Sequence, residues 1–84
     1  MRECFFCKTT LGIERHHVFY GTGCRKLSER YGMVVDLCYN HHRGDHGVHF
    51  NVDMDLLLKR LFQERFEQEH SREEFMQIFG RSYL

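Results

Sequence analysis

The pattern of apolar positions divides the chain into two parts. Residues 13–20 and 33–38 are short runs rich in Ile, Val, Phe and Tyr, which predict two β-strands. The segment before them, ECFFCKTTLG (residues 3–12), is typical of a knuckle that Gly12 closes with a turn. The segment between them, GTGCRKLSERYG (21–32), is punctuated by glycine, so we expect a flexible loop with a helical turn around residues 25–31.

From residue 53 onwards the apolar residues recur at the spacing of an amphipathic helix. We expect Asp53 to be the N-cap of a first helix of about four turns. Ser71 and Glu74 form a capping box at the start of a second helix, and Gly80 ends it. The apolar side of the first helix consists of Met54, Leu57, Leu58, Leu61, Phe62 and Phe66, and that of the second consists of Phe75, Ile78 and Phe79. A stripe at this spacing is typical of a hydrophobic core, so we expect these helices to support the fold.

The length of 84 residues allows one domain whose core is marginal without a metal or disulfide. We therefore predict a single α+β domain over 1–84, with the chemistry in 1–52 and supporting helices in 53–84. No apolar run approaches the ~20 residues of a membrane span. The N-terminal residues do not form a secretory signal, so we expect the protein to be cytoplasmic.

Charge gives little support for long-range attraction to nucleic acid. Twelve basic and twelve acidic residues give a net charge of zero, and residues 1–50 carry only two more basic than acidic side chains. Any attraction to phosphates must therefore come from local groups or bound cations. The candidates for phosphate contact are Arg15, Arg25, Lys26, Arg30 and Arg43, although a basic run in a loop is also common as a solvated connector.

The cysteines carry the strongest chemical signal. Cys4 and Cys7 form CxxC, and Cys38 with His41 repeats that two-residue gap, which lets one turn present two ligands to a tetrahedral zinc ion. We predict a structural zinc held by these four residues. Two disulfides are disfavoured in a reducing cytoplasm, and buried thiols without a ligand are another alternative. Cys24 has no partner at ligand spacing and is expected to be a free thiol.

Six of the seven histidines lie between positions 16 and 49, and four of them form two doublets. Adjacent side chains generally point apart, so one member of each doublet can serve one site while its neighbour serves another. CxxxH spacing also occurs in zinc sites, so His42 is the alternative to His41 as the fourth zinc ligand.

The order of these motifs resembles the HNH endonuclease superfamily, the ββα-metal nucleases, and most of all its small zinc-knuckle members from phages and bacterial mobile elements. The resemblance rests on CxxC, a strand containing HHV and then LCxxHH, and it covers about residues 4–50. It implies zinc knuckles that brace two strands and a helix around one catalytic divalent cation, such as Mg²⁺ or Mn²⁺. It also implies hydrolysis of DNA phosphodiester bonds with little sequence selectivity.

The resemblance gives the histidines separate catalytic roles. His17 falls at the position of the general base, His16 at a neighbouring metal-ligand position, and His42 at the metal ligand that follows the knuckle. The third ligand is either His46 or His49. We favour His49, which lies in the strand-like VHF and could fold back toward His42.

One position departs from the family pattern, because Met33 stands where an Asn usually orients the base. This favours an alternative in which the protein is a catalytically inactive zinc-binding adaptor of the same fold that binds nucleic acid or a protein partner. A third possibility is a zinc-stapled interaction module that binds a protein partner through the acidic C-terminal helices. The surplus of histidines beyond the needs of zinc favours the enzyme.

Overall fold

The structure is a computed structural model, which describes residues 2–21, 23–45 and 47–84. These residues form a small α+β fold with one two-stranded antiparallel sheet and four helices. The elements in chain order are β1 (Ile13–His17), α1 (Cys24–Arg30), β2 (Val34–Cys38), α2 (Tyr39–His42), α3 (Val52–Phe66) and α4 (Arg72–Phe79). The predicted α+β class is confirmed.

Strands β1 and β2 pair with Ile13 opposite Cys38 and His17 opposite Val34. Strand β1 is shorter than predicted, because the backbone of Phe19 forms its hydrogen bonds with the side chain of Ser28 and not with a neighbouring strand. Its backbone N–H donates to Ser28 Oγ at 3.2 Å, and its carbonyl accepts from the same hydroxyl at 2.6 Å. Successive side chains of a strand point to opposite faces, so the two histidines of β1 face different surroundings.

The predicted helical turn in the loop is the seven-residue helix α1. The fully buried Ser28 connects α1 to the segment after β1 through its two hydrogen bonds with Phe19. Gly32 then adopts a φ of 72°, a left-handed conformation that favours glycine, and the chain turns into β2. Helix α1 is thereby fixed beside β1, which is a tighter arrangement than the flexible loop we expected.

Helix α3 begins one residue before the predicted cap, so the assignment of Asp53 as N-cap is wrong. Asn51 is the N-cap, and its side chain accepts a hydrogen bond from the Met54 backbone N–H at 3.2 Å. Asn and Asp are comparable caps, and Asn51 has the extended backbone that a cap requires. Asp53 lies instead in the first turn, where its negative charge is favourable near the helix N-terminus.

Helix α4 begins and ends as predicted. The capping box of Ser71 and Glu74 is present in both directions, and Gly80 ends the helix with a φ of 92°. The aromatic core joins this helix to the end of β1, because the Phe19 ring lies 4.6 Å from Phe79 and 5.2 Å from Phe75 between ring centroids. The C-terminal helices therefore support the chain two residues beyond His17.

Within the described ranges, no helix has both the length and the apolar character required to cross a membrane.

Candidate metal centres and the adjoining cleft

Four side chains from the knuckle and from the junction of β2 with α2 form a first candidate metal centre, which we call the cysteine centre. One ligand atom each from Cys4, Cys7, Cys38 and His41 lies within 4.8 Å of the others. The two sulfurs of Cys7 and Cys38 are 3.8 Å apart, and His41 Nδ1 is 3.2 Å from Cys38 Sγ and 3.5 Å from Cys4 Sγ. A tetrahedral zinc with Zn–S bonds of about 2.3 Å separates two sulfurs by about 3.8 Å. The centre could therefore hold a structural metal such as zinc.

The surroundings of Cys4 favour the thiolate form that binds metals. Its pKa is lowered to about 6; burial opposes this shift, but hydrogen bonds from the backbone amides of Cys38, Cys7 and Phe6 outweigh it. Backbone bonds from Cys4 N–H to the Thr9 carbonyl and from Lys8 N–H to the Cys4 carbonyl, 2.8 and 2.9 Å long, close the knuckle around it. The predicted knuckle is therefore a hydrogen-bonded turn, and its backbone amides point toward the sulfur of Cys4.

Cys24 lies outside this centre as the first residue of α1, and its thiol is free and half-buried.

A second candidate centre, the histidine centre, is formed by His16 from β1, His42 from α2 and His49 from the following turns. One ring nitrogen of each lies within 4.8 Å of the others. The Nε2 atoms of His42 and His49 are 3.0 Å apart. The Nε2 atom of His16 is buried and has no hydrogen-bond partner among the described residues. A buried nitrogen with no partner is costly, and a bound cation would satisfy it.

A carboxylate orients one ligand of the histidine centre. Glu14 Oε1 lies 2.7 Å from His42 Nδ1, and this hydrogen bond holds the pKa of Glu14 below its ordinary value. An ionised carboxylate only accepts hydrogen bonds, so Nδ1 of a neutral His42 carries the proton. The lone pair of His42 is then on Nε2, which faces the centre. A carboxylate behind a metal-binding histidine fixes its tautomer and its ring orientation in this way.

Burial disfavours the charged form of the other two imidazoles. Burial lowers the pKa of His16 to about 3, and the neighbouring histidines add to the shift. Burial is also the main cause of the lowered pKa of His49. Neutral imidazole is the metal-binding form of histidine, and three protein ligands leave coordination positions open. The residues present therefore fit a divalent ion with exchangeable positions.

The opposite face of β1 carries a different arrangement. His17 Nε2 lies 3.0 Å from Glu29 Oε1 in α1, and Arg15 donates to both oxygens of Glu29 at 2.9 and 2.7 Å. The hydrogen bonds from Arg15 and then from His17 lower the pKa of Glu29 to about 2. An ionised carboxylate can only accept a hydrogen bond, so Nε2 of a neutral His17 carries the proton and donates to Glu29. The lone pair of the ring is then on Nδ1.

Both sides of β1 border one open cleft of about 870 Å³. Its lining includes the histidine centre, His17 and three of the predicted phosphate-binding residues, namely Arg15, Arg25 and Arg43. Lys26 and Arg30 lie on α1 but are not part of this lining. No acidic side chain is among the described residues that line the cleft, so its surface suits an anionic ligand.

The segment VHF is not a strand, as we had expected, because residues 48–50 form turns. The turns bring His49 to His42 because Gly47 packs against the backbone of α2. A Cβ at Gly47 would lie 2.8 Å from the His42 carbonyl carbon, which is closer than real Cβ atoms approach. The other candidate for the third ligand, His46, lies outside the described residues.

Two carboxylates of the site were absent from the predictions. Glu14 lies two residues before His16, and the two-residue period of a strand could have placed it on the same face. Glu29 had no comparable signal, because its contact with His17 depends on where α1 packs. Met33, at the position of the family's Asn, is a buried core residue whose thioether is only a weak hydrogen-bond acceptor, unlike the carboxylate of Glu29.

No family model, curated protein or solved structure matches the chain. Its function must therefore be inferred from the side chains of the two centres and the cleft.

Proposed function

We propose that this protein is a metal-dependent endonuclease of the HNH type that hydrolyses phosphodiester bonds in DNA. The observation that carries the proposal is that the two adjacent histidines of β1 belong to different groups of side chains on opposite faces of the strand. His16 belongs to a cluster of three imidazoles whose ring nitrogens converge as ligands of a cation would, whereas His17 borders the same cleft from the other face, with Nε2 directed at Glu29 and Nδ1 left to accept a proton. A cation and a base that border one anion-binding cleft are the components that phosphodiester hydrolysis requires.

In this proposal the cysteine centre has a structural role. Cys4, Cys7, Cys38 and His41 would hold zinc with all four tetrahedral positions filled by protein, which is the arrangement of a structural site. The metal would attach the N-terminal knuckle to the β2–α2 junction. Since His42 follows His41 directly, the same attachment would fix the backbone that carries a ligand of the histidine centre.

His16, His42 and His49 would hold the catalytic ion. When bound, a divalent ion supplies Lewis-acid stabilisation of the negative charge that develops on the phosphate. Imidazole nitrogens suit iron, nickel and zinc ions best, and both Mg²⁺ and Mn²⁺ prefer oxygen ligands, but Mn²⁺ is the softer of the two and accepts nitrogen ligands more readily. Of the two ions first considered, Mn²⁺ therefore fits this ligand set better than Mg²⁺.

The remaining steps belong to side chains of the cleft. His17 accepts at Nδ1 the proton of a water molecule as the water oxygen forms its bond to phosphorus. The phosphorus–oxygen bond to the leaving sugar breaks, and that oxygen takes a proton from solvent. The carboxylate of Glu29 holds the His17 ring through Nε2–H and stabilises the imidazolium as it forms, while Arg15 holds Glu29 in place. Arg25 and Arg43 are positioned in the lining to bind phosphate oxygens.

The second candidate function is an adaptor that binds nucleic acid without cleaving it. Met33 favours it, since the family's usual orienting residue is missing. The hydrogen bond from His17 to Glu29 favours the enzyme, because it gives the base an orienting partner from another element.

The experiment that decides between them measures nicking of a supercoiled plasmid by zinc-loaded protein. Reactions contain no added ion, Mg²⁺, Mn²⁺, or Mn²⁺ with excess EDTA. We expect nicking with Mn²⁺, slower nicking with Mg²⁺ and none with EDTA. Binding of the plasmid without cleavage under all four conditions would contradict the enzyme and support the adaptor.

A further inference from the structure

The cleft contains an unusual share of the exposed aromatic surface. Among the described residues, the most exposed large aromatic side chains are Tyr20, Tyr39 and Phe50, at 39%, 59% and 73% exposure. All three line the cleft, whereas the exposed aliphatic residues Leu11, Val52, Leu57 and Leu84 do not. Large aromatic rings normally contribute to the core. Exposed rings that gather in a single cleft therefore indicate a ligand that covers them.

The charged side chains that line the cleft with these rings are all basic. Three arginines share the lining with the aromatic rings, and no acidic residue is among the described lining residues. Arg15 and Arg43 form ion pairs with Glu29 and Glu14, which reduces their contribution. Arg25 is exposed and has no ion-pair partner in the part of the chain that the structure describes. The occupant should therefore combine flat apolar faces with negative charge.

We propose that the cleft binds single-stranded DNA, with unpaired bases stacked on Tyr39 and Phe50 and the sugar-phosphate backbone contacting Arg25. A basic groove combined with exposed aromatic rings is the common means of binding single strands, because every base has a face that can stack. In a duplex those faces are already stacked on each other, and a protein reaches phosphates and base edges instead. The net charge of zero also provides little of the electrostatic attraction that drives sequence-independent binding to duplex DNA.

This inference extends the proposed function, since it names the form of DNA that the site would cut, but binding is measured separately from cleavage. Fluorescence anisotropy with a labelled oligonucleotide compares the single strand, its duplex and an RNA of the same sequence. The protein carries His17→Ala so that the probes stay intact. Phe50→Ala and Tyr39→Ala are then tested in that background. Val52→Ala is the matched control, because Val52 is 71% exposed, lies two residues from Phe50 and is outside the lining.

We expect the single strand to bind more tightly than the duplex. Each ring removal should weaken single-strand binding by about 5- to 150-fold, the range measured for loss of one base–aromatic stack. Duplex binding and the Val52→Ala variant should change less than about twofold. Zinc content and circular dichroism confirm that Tyr39→Ala, which neighbours Cys38, has kept the cysteine centre.

Equal binding of single strand and duplex, with both ring variants equal to the control, would overturn the inference. Tighter binding of the RNA would overturn the assignment to DNA. Failure of the protein to cleave any substrate, with ring-dependent binding of the single strand intact, would contradict the proposed endonuclease and leave this inference standing.

Discussion

Replacement of one cysteine ligand tests whether the cysteine centre holds the domain together. Cys38→Ser removes a sulfur that lies 3.8 Å from Cys7 Sγ and 3.2 Å from His41 Nδ1. Cys24→Ser makes the same chemical change at a half-buried free thiol outside both centres. Both variants replace a cysteine by serine, but only Cys38→Ser changes the cysteine centre, so a difference between them reports on that centre.

The size of the effect follows from comparing the stability of a small domain with the binding energy of a structural metal. Apart from the residues of the cysteine centre, the knuckle contacts the rest of the described chain through one backbone bond from Phe5 to Asp36 of 2.9 Å and through the half-buried rings of Phe5 and Phe6, which pack against the core. A chain of 84 residues has a free energy of unfolding of roughly 4–13 kcal/mol at the usual ~0.05–0.15 kcal/mol per residue. Binding of structural zinc contributes about 10–16 kcal/mol in small zinc domains. Loss of the metal is thus comparable to the entire stability of the fold.

We expect Cys38→Ser to lose zinc and the cooperative thermal transition, whereas Cys24→Ser keeps about one tightly bound zinc per chain and a Tm within a few degrees of wild type. Plasma mass spectrometry after dialysis measures the zinc, and circular dichroism follows unfolding. Since 1 kcal/mol shifts the Tm of a domain of this size by about 4–8 °C, even a partial loss is detectable. A zinc-free Cys38→Ser protein that unfolds at the wild-type temperature would refute the reasoning.

Three further predictions follow from other contacts. Glu14→Ala should weaken Mn²⁺ binding by about 10- to 100-fold in calorimetric titrations, because His42 loses the carboxylate that fixes its tautomer; unchanged affinity would contradict this role. Glu29→Ala should lower the cleavage rate by about 10- to 100-fold with zinc content unchanged, whereas Glu29→Gln, which keeps an acceptor oxygen for His17, should recover part of the rate; equal rates for both variants would exclude orientation of the base as the cause. Phe75→Ala should lower the free energy of unfolding by about 3–5 kcal/mol in urea titrations, because Phe75 is fully buried in the aromatic core; a loss below 1 kcal/mol would mean that the core collapses around the cavity.

The features that sequence predicted correctly are those with local causes. Ser71 and Glu74 are three residues apart, and Gly80 follows the last apolar position, so a single helix encodes its own two ends. The gap between Cys4 and Cys7, repeated between Cys38 and His41, likewise places two potential metal ligands on one turn without reference to the rest of the fold. The α+β class followed from the change of apolar period between the two parts of the chain.

The features that could not be predicted depend on contacts between distant segments. Glu29 meets His17 only because Ser28 attaches α1 to the chain after β1. His49 meets His42 because the close approach at Gly47 turns the chain back onto α2, whereas its local sequence suggested a strand. The cap of α3 was misassigned because Asn51 and Asp53 are equally suitable by residue type and differ in backbone conformation.

The rate of single-turnover DNA cleavage by His17→Ala in the presence of Mn²⁺ tests the central proposal most directly. His70→Ala is the matched control, because His70 is exposed in the connection between α3 and α4, stacks on Phe66 and lies outside both centres. We expect His17→Ala to cleave about 10²- to 10⁴-fold more slowly than wild type, the usual contribution of a positioned acid–base group, while zinc content and DNA binding stay unchanged. His70→Ala should cleave at the wild-type rate. Cleavage by His17→Ala as fast as by the His70→Ala control would contradict the assignment of His17 as the base and with it the proposed mechanism.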